Sequence, residues 1–294
     1  MKNSELVSVI IPSRNELFLD KTVEDILNKA KGNIEVIVVL DGYWPSPPLK
    51  KDSRLKLIHL PHPKGMRNAI NMAVAMARGK YIMKSDAHCM FNEGFDIDLS
   101  SNCDEDWVVI PRRLRLDAEN WRVQKTDKGK PKPPIDYEFI TAPGHHDPRG
   151  GRWDQRTVER MNNPKYQIDE DMNFQGSCWF TTKKHFDNTL KGLDEKGYGT
   201  FIRESYEIGL KTWLTGGKVM VNKNTWYAHL HKGSKYGRMY FLNLKEIRRG
   251  IAFCEDFWFN NRLKEAKHDL AWLVEKFWPV PTWTEGLLES VRKK

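Results

Sequence analysis

Asp86 and His88 stand two residues apart at the end of a short apolar run, Tyr81-Ile-Met83, within the stretch KYIMKSDAHC. Side chains so placed at a strand's end can both turn toward one ion. The carboxylate offers a hard oxygen and the imidazole a borderline nitrogen, a pair that suits Mn²⁺ and leaves positions open for phosphate oxygens. Taken alone, an Asp-x-His is more often simply a polar strand-to-loop transition. What separates the two readings is where other polar residues fall: Glu16 and Asp41 also follow apolar runs.

Those residues need elements to position them. Residues 6–11 (LVSVII) form a strand that Pro12 stops, followed by a polar loop through Glu16. Val23, Ile26, Leu27 and Ala30 recur at helical spacing. Residues 34–40 (IEVIVVL) form a second strand ending on Asp41-Gly42, and residues 55–60 a third. Met66, Ala69, Ile70, Ala73, Val74 and Ala77 describe an amphipathic helix closed by Gly79. Continuous apolar strands alternating with helices predict the α/β class, with a Rossmann-like, mostly parallel sheet covered on both faces. Ligands of such sheets gather at the carboxyl ends of the strands, so one crevice is expected to collect Glu16, Asp41 and Asp86.

A chain of 294 residues, 39% hydrophobic with 11 Trp and 13 Phe, can bury a sizeable core, which excludes a disordered segment. The net charge of +9 is compatible with a polyanionic partner such as nucleic acid, acidic headgroups or a sugar nucleotide. Cys89, Cys103, Cys178 and Cys254 lie far apart with no C-x-x-C, as expected of reduced thiols rather than a disulfide framework or zinc knuckle. The first residues lack a signal peptide's apolar core and no run reaches the roughly 18 apolar residues of a membrane span, so a soluble cytoplasmic protein is expected.

Several blocks in order carry a resemblance: SVIIPSRNE (residues 8–16), VVLDG (38–42), KGMRNAIN (64–71) and ARGKY (77–81). Together they resemble the nucleotide-binding half of family-2 glycosyltransferases of the GT-A fold. The resemblance implies that Pro12, Arg14, Glu16 and Asp41 lie near the nucleoside, and Lys64 and Arg67 near the diphosphate and base. It also implies that the motif at Asp86 and His88 binds the diphosphate through Mn²⁺ or Mg²⁺. The usual Asp-x-Asp is Asp-x-His here, and Asp-Ala-His-Cys is similar to the Asp-Ser-His-Cys of the polypeptide N-acetylgalactosaminyltransferase branch.

Later segments extend that likeness. QGSCWF (175–180) resembles the turn before the branch's acceptor-side wall. RESYEIGLKTW (203–213), followed by Gly216-Gly217, is similar to its Glu-Asn-x-Glu helix and Gly-Gly strand. By this resemblance Glu204 is the candidate carboxylate at the reacting centre, against the simpler reading that it favours a helix N-terminus. His229 takes the place of the third metal ligand, with His231 its rival if the strand continues. The stretch after it, containing Lys232, Tyr236 and Arg238, takes the place of a lid over the diphosphate. Residues 1–240 are then the catalytic domain. Residues 241–294, read as two aromatic-rich helices (241–261 and 262–277) and a basic tail, form an appendage that packs on it, pairs two copies, or rests on a membrane surface.

The implied activity is metal-dependent transfer of a sugar from a UDP-sugar to a hydroxyl. An inverting mechanism needs a general base, for which Glu204 is the candidate, whereas the N-acetylgalactosaminyl branch implies retention. Basic stretches at 111–115, 125–134 and 145–153 (His145, His146 and Trp153 among them) could track a phosphodiester backbone, or be solvated surface loops. In being compact, basic and unanchored, the chain resembles bacteriophage enzymes that glycosylate hydroxymethylated pyrimidines in double-stranded DNA. A cell-surface polysaccharide transferase, a protein O-glycosyltransferase and a sugar-nucleotide-binding protein without catalysis are the alternatives.

Overall fold

Val and Ile runs build the first half of the fold. The structure, a computed structural model, describes residues 5–145 and 150–292. Four strands, β1 (Val7–Ser13), β2 (Ile34–Asp41), β3 (Leu55–Leu60) and β4 (Tyr81–Ser85), run parallel in the order β3-β2-β1-β4. Every residue of β2 and β4 is buried, while β3 at the edge leaves Leu57 exposed. The helices Leu19–Lys29 and Met66–Met76 bury Val23 and Ile26, and Ala69, Ile70, Ala73 and Val74. Small residues on the second helix let it lie close to the strands.

Pro12 does not stop β1 as expected from its sequence. The strand runs on to Ser13, with Pro12 opposite Val39 of β2. On the other side the pairing with β4 ends at Ile10 and Lys84, so the donor that proline lacks is not required there.

Among the described residues eight further strands follow: β5 (Cys89–Phe91), β6 (Trp107–Asp117), β7 (Arg122–Val123), β8 (Glu138–Phe139), β9 (Gly151–Arg152), β10 (Ile168–Glu170), β11 (Cys178–Thr182) and β12 (Lys218–His229). β11 inserts between β4 and β6, antiparallel to both, and β12 lies parallel to β6 with β10 on its outer side. The short β5 crosses over and pairs antiparallel with the end of β12, which sets Cys89 opposite His229. β7 pairs with β6, and β8 with β9 as a separate ribbon.

Two stretches depart from their sequence reading. Residues 111–115 are not a loop but the middle of β6, where Arg112 pairs with Asp136 at 2.7 Å and Arg113 with Glu138 at 2.6 Å. Of the 145–153 stretch, residues 146–149, His146 included, lie outside the described residues. In the C-terminal part the helix Leu244–Phe259 is as expected, but the next helix is only Leu270–Lys276. Asn261, at φ 50°, ends the first helix, accepts from the Leu270 amide at 2.9 Å, and leaves Asp269 to cap the second through Trp272 N.

Cys254, Trp258, Leu270, Leu273, Val274, Phe277 and Trp283 join the same buried cluster as the sheet. Trp258 Nε1 donates to Tyr198 Oη at 2.6 Å, and Trp283 Nε1 to Ile140 O at 2.7 Å. The four cysteines are free thiols, and among the described residues no helix is long and apolar enough to cross a membrane.

Candidate active site

A cavity of about 630 Å³ opens at the carboxyl ends of β1, β2 and β4. Pro12, Arg14, Glu16, Asp41, Asp86 and His88 line it on the sheet side. His229, Lys232, Arg238 and Tyr240 close it from the end of β12 and the segment that follows.

On the cavity wall, ligand atoms of Asp86, His88 and His229 lie within 4.8 Å of one another. Asp86 Oδ2 is 3.7 Å from His88 Nε2 and 3.3 Å from His229 Nε2. The β5–β12 pairing brings these sequence-distant residues together, because β5 begins one residue after His88 and its first residue faces His229. β12 ends at His229, so His231 falls beyond the strand and outside the three-residue group, its ring 5.1 Å from that of His229.

Both ring nitrogens of His229 are buried and complete no well-aligned hydrogen bond, although Nε2 stands close to Asp86. Burial holds the His229 imidazole neutral by pushing its pKa down to about 3. Buried nitrogens without partners are what a metal ligand offers, so the donor set of one carboxylate and two imidazoles fits a divalent ion. Burial opposes the Asp86 carboxylate, yet the Lys84 ammonium and the two histidines hold its pKa below the usual range.

Glu16, expected near the nucleoside, lines the cavity and also backs the cluster. Its Oε2 lies 3.2 Å from His88 Nδ1, and Lys232 Nζ is 2.7 Å from both its oxygens. Burial would raise its pKa, but His88 and Lys232 lower it. The ion pair ties the segment after β12 to the loop after β1. Arg14 stacks on Tyr240 at 4.6 Å, Arg238 covers Phe201 at 4.9 Å, and Asn15 Nδ2 donates to Met239 O at 3.2 Å.

Four of the residues proposed from sequence do not line the cavity. Arg67 is fully buried, ion-paired with Glu207, bonded to Ile202 O and stacked on Tyr198 at 4.2 Å, so it braces two helices. The Lys64 side chain is exposed; its backbone amide, with that of Gly65, donates to the Asp41 carboxylate at 2.5 and 3.0 Å. Asp41 thus shapes the loop as well as the wall. Tyr236 packs edge-on against Phe18 at 5.5 Å, facing a neighbouring groove.

Glu204 is the fourth. It does start a helix, Glu204–Leu214, but its carboxylate is buried behind the cavity, accepting from Trp179 Nε1 at 3.0 Å and facing Lys84 Nζ at 3.1 Å. Burial raises its pKa, against the Lys84 ammonium.

Lys84 is the residue that sequence reasoning passed over. It sits within β4, buried, and donates to Asp86 Oδ1 and Gly176 O, both at 2.6 Å. Burial disfavours its charge, yet Asp86 and Glu204 hold its pKa above the ordinary lysine value. The available signal was a lysine that follows the apolar run Tyr81–Met83 within one strand, two residues before an aspartate.

Comparison with known proteins places this geometry. A probable polypeptide N-acetylgalactosaminyltransferase 8 from Homo sapiens is 22% identical over 96% of this chain and 43% of its own length. An uncharacterized glycosyltransferase of Haemophilus influenzae is 34% identical over 30% of this chain and 29% of its own. The chain thus spans less than half the length of these curated relatives. Among solved structures, GalNAc-T7 with UDP, GalNAc and Mn²⁺ superposes with a TM-score of 0.66 at 16% identity, over 99% of this chain and 54% of that one. TarS 1–349 of S. aureus in complex with UDP-GlcNAc gives 0.58 at 14%, over 91% and 69%. These likenesses agree with the α/β, GT-A-type fold expected from the sequence. Residues 8–206 match the family model described as glycosyl transferase family 2, and the chain belongs to that family.

Proposed function

We propose that this protein is a metal-dependent glycosyltransferase that moves a hexosyl or N-acetylhexosaminyl group from a UDP-sugar to a hydroxyl. The observation that carries the reading is the Asp86–His88–His229 cluster on the wall of a cavity large enough for a nucleotide sugar. In the reaction the bond between the anomeric carbon and the diphosphate breaks, a bond to the acceptor oxygen forms, and the hydroxyl proton is released. Asp86, His88 and His229 would hold Mn²⁺ or Mg²⁺, which when bound supplies Lewis-acid neutralisation of the departing diphosphate. Arg14, Lys232 and Arg238 add cations on the cavity wall, while Pro12 and Asp41 form the side assigned to the nucleoside. Glu204 acts as a positioning residue through Lys84, in place of the base role its sequence context suggested. Residues 1–240 carry this chemistry, and residues 241–294 buttress it.

The acceptor reading rests on charge. A groove of about 710 Å³ shares residues Leu230 to Gly233 with the donor cavity and is lined by Arg122, Lys125, Lys132, Lys232 and Lys235. Its acids are already engaged, Asp117 by Arg122 at 3.2 Å and Glu119 by Lys235 at 2.5 Å. Such a surface suits a phosphodiester-bearing acceptor, for which a hydroxymethylated pyrimidine in DNA is the first candidate. The second reading, a protein hydroxyl, is favoured by the name of the human relative that matches 96% of the chain. The test incubates the protein with Mn²⁺, UDP-glucose, UDP-GlcNAc or UDP-GalNAc, and either hydroxymethylated DNA or Ser/Thr peptides, followed by mass spectrometry. A sugar mass on the nucleoside supports the first reading, and one on the peptide the second. Absence of UDP release with every donor would overturn the transferase assignment.

A further inference from the structure

Lys84 occupies an unusual place: an ammonium removed from water between two carboxylates of different standing. An enclosed cation needs compensating charge and a full set of acceptors. Gly176 O and Asp86 Oδ1 supply two at 2.6 Å, and Glu204 Oε1 a third at 3.1 Å. Glu204 faces inward, held by Trp179 Nε1, with only 5% of its side chain exposed, whereas Asp86 keeps 25% open toward the cavity.

The two oxygens of Asp86 are therefore divided. Oδ1 is committed to Lys84, and Oδ2 alone faces His88 Nε2 and His229 Nε2. An incoming divalent ion meets two imidazoles and one carboxylate whose charge already answers to an adjacent ammonium. Glu16, the other acid nearby, is matched in the same way by Lys232. Hard and borderline cations gain affinity with the charge of their ligand set, and here that charge is largely spoken for.

Resting on the metal reading above, we propose that Lys84 makes cation binding at Asp86, His88 and His229 conditional on the nucleoside diphosphate. The ion binds weakly alone, and the diphosphate brings the negative charge that the residues withhold. Linkage then requires that the ion tighten the diphosphate by the same factor. Lys84 and Glu204 act here as positioning residues: Lys84 through Asp86, and Glu204 by anchoring Lys84 from its inner side.

The experiment is a calorimetric titration of Mn²⁺ into the full chain, with and without UDP, corrected for Mn²⁺ held by free UDP. In the wild type UDP should tighten Mn²⁺ about tenfold or more, a usual size for such coupling. The double variant Lys84→Met, Glu204→Gln removes one charge of each sign and frees Asp86. Folded by circular dichroism, it should bind Mn²⁺ alone about tenfold tighter than the wild type, shrinking the effect of UDP accordingly. Equal wild-type affinity with and without UDP overturns the proposal while leaving the metal reading standing. So does a folded double variant that binds Mn²⁺ alone no tighter. No Mn²⁺ binding even with UDP overturns both. Should the double variant not fold, the wild-type comparison decides.

Discussion

Glu16 Oε2 lies 3.2 Å from His88 Nδ1, and the opposite nitrogen of the same ring, Nε2, faces Asp86 Oδ2. A carboxylate on one imidazole nitrogen fixes the tautomer and leaves the other nitrogen free to ligate. Glu16→Gln should therefore raise the Mn²⁺ concentration needed for half-maximal transfer by about tenfold to a hundredfold. An unchanged Mn²⁺ requirement would show that Glu16 positions nothing.

His88 borders the cavity rather than the deep core, so His88→Ala should leave the fold intact while reducing transfer by about a hundredfold or more. Thermal melting checks the first half and UDP release the second. Full activity of this variant in the presence of a chelator would sink the metal assignment.

His185 gives a stability prediction separate from the site. Its ring is 3% exposed, with Nε2 2.9 Å from Thr212 Oγ1, and burial pushes its pKa down to about 4 from 6.5. Between those values the unfolded chain binds more protons than the folded one. The stabilisation is complete above pH 6.5 and is lost as pH falls toward 4, on the order of 3 kcal/mol at most. Denaturant midpoints should fall across that window, and His185→Gln, able to keep the bond to Thr212, should flatten part of the slope. A midpoint independent of pH would contradict the assignment.

Gly65 holds φ 94° at the mouth of the cavity, and a Cβ there would meet Thr200 Cβ and stand 2.8 Å from Thr200 O. Gly65→Ala should destabilise by about 1–3 kcal/mol and raise KM for the donor, since Thr200 forms the facing wall. Steady-state kinetics read both; an unaltered KM would place the donor elsewhere.

Trp258 tests whether residues 241–294 are integral to the fold. It is 1% exposed and bonds Tyr198, so Trp258→Ala should cost about 3–5 kcal/mol in denaturant unfolding. A loss below 1 kcal/mol would mean that the C-terminal helices are only loosely attached.

The parts of this protein most legible in sequence are those dictated by local pattern. Runs such as IEVIVVL can only be buried strands, and β3 and the Met66–Met76 helix begin where periodicity places them. Asp86 and His88 were readable because their spacing and their strand coincide. His229 came from resemblance alone, since nothing local says which distant histidine a sheet will bring back. The facing of Glu204 was likewise invisible: a helix start fixes where a residue sits, not whether its side chain looks into a cavity or behind it. Arg112 and Arg113 read as surface because arginine usually is, and the acids at 136 and 138 explain how the first sits half-buried and the second buried in β6.

β12 has one further consequence, which concerns length. Between its pairings of Asn222 with Pro111 and Trp226 with Arg112, residues 223–225 have no counterpart on β6. That irregularity sets the phase of the rest of the strand. Adding or deleting one residue there would turn His229 to the opposite face of the sheet. Only changes in steps of two preserve the face, and they bring Tyr227 or His231 to the position beside Asp86. The identity of the third residue of the cluster is thus written in the spacing of a strand as much as in the histidine itself.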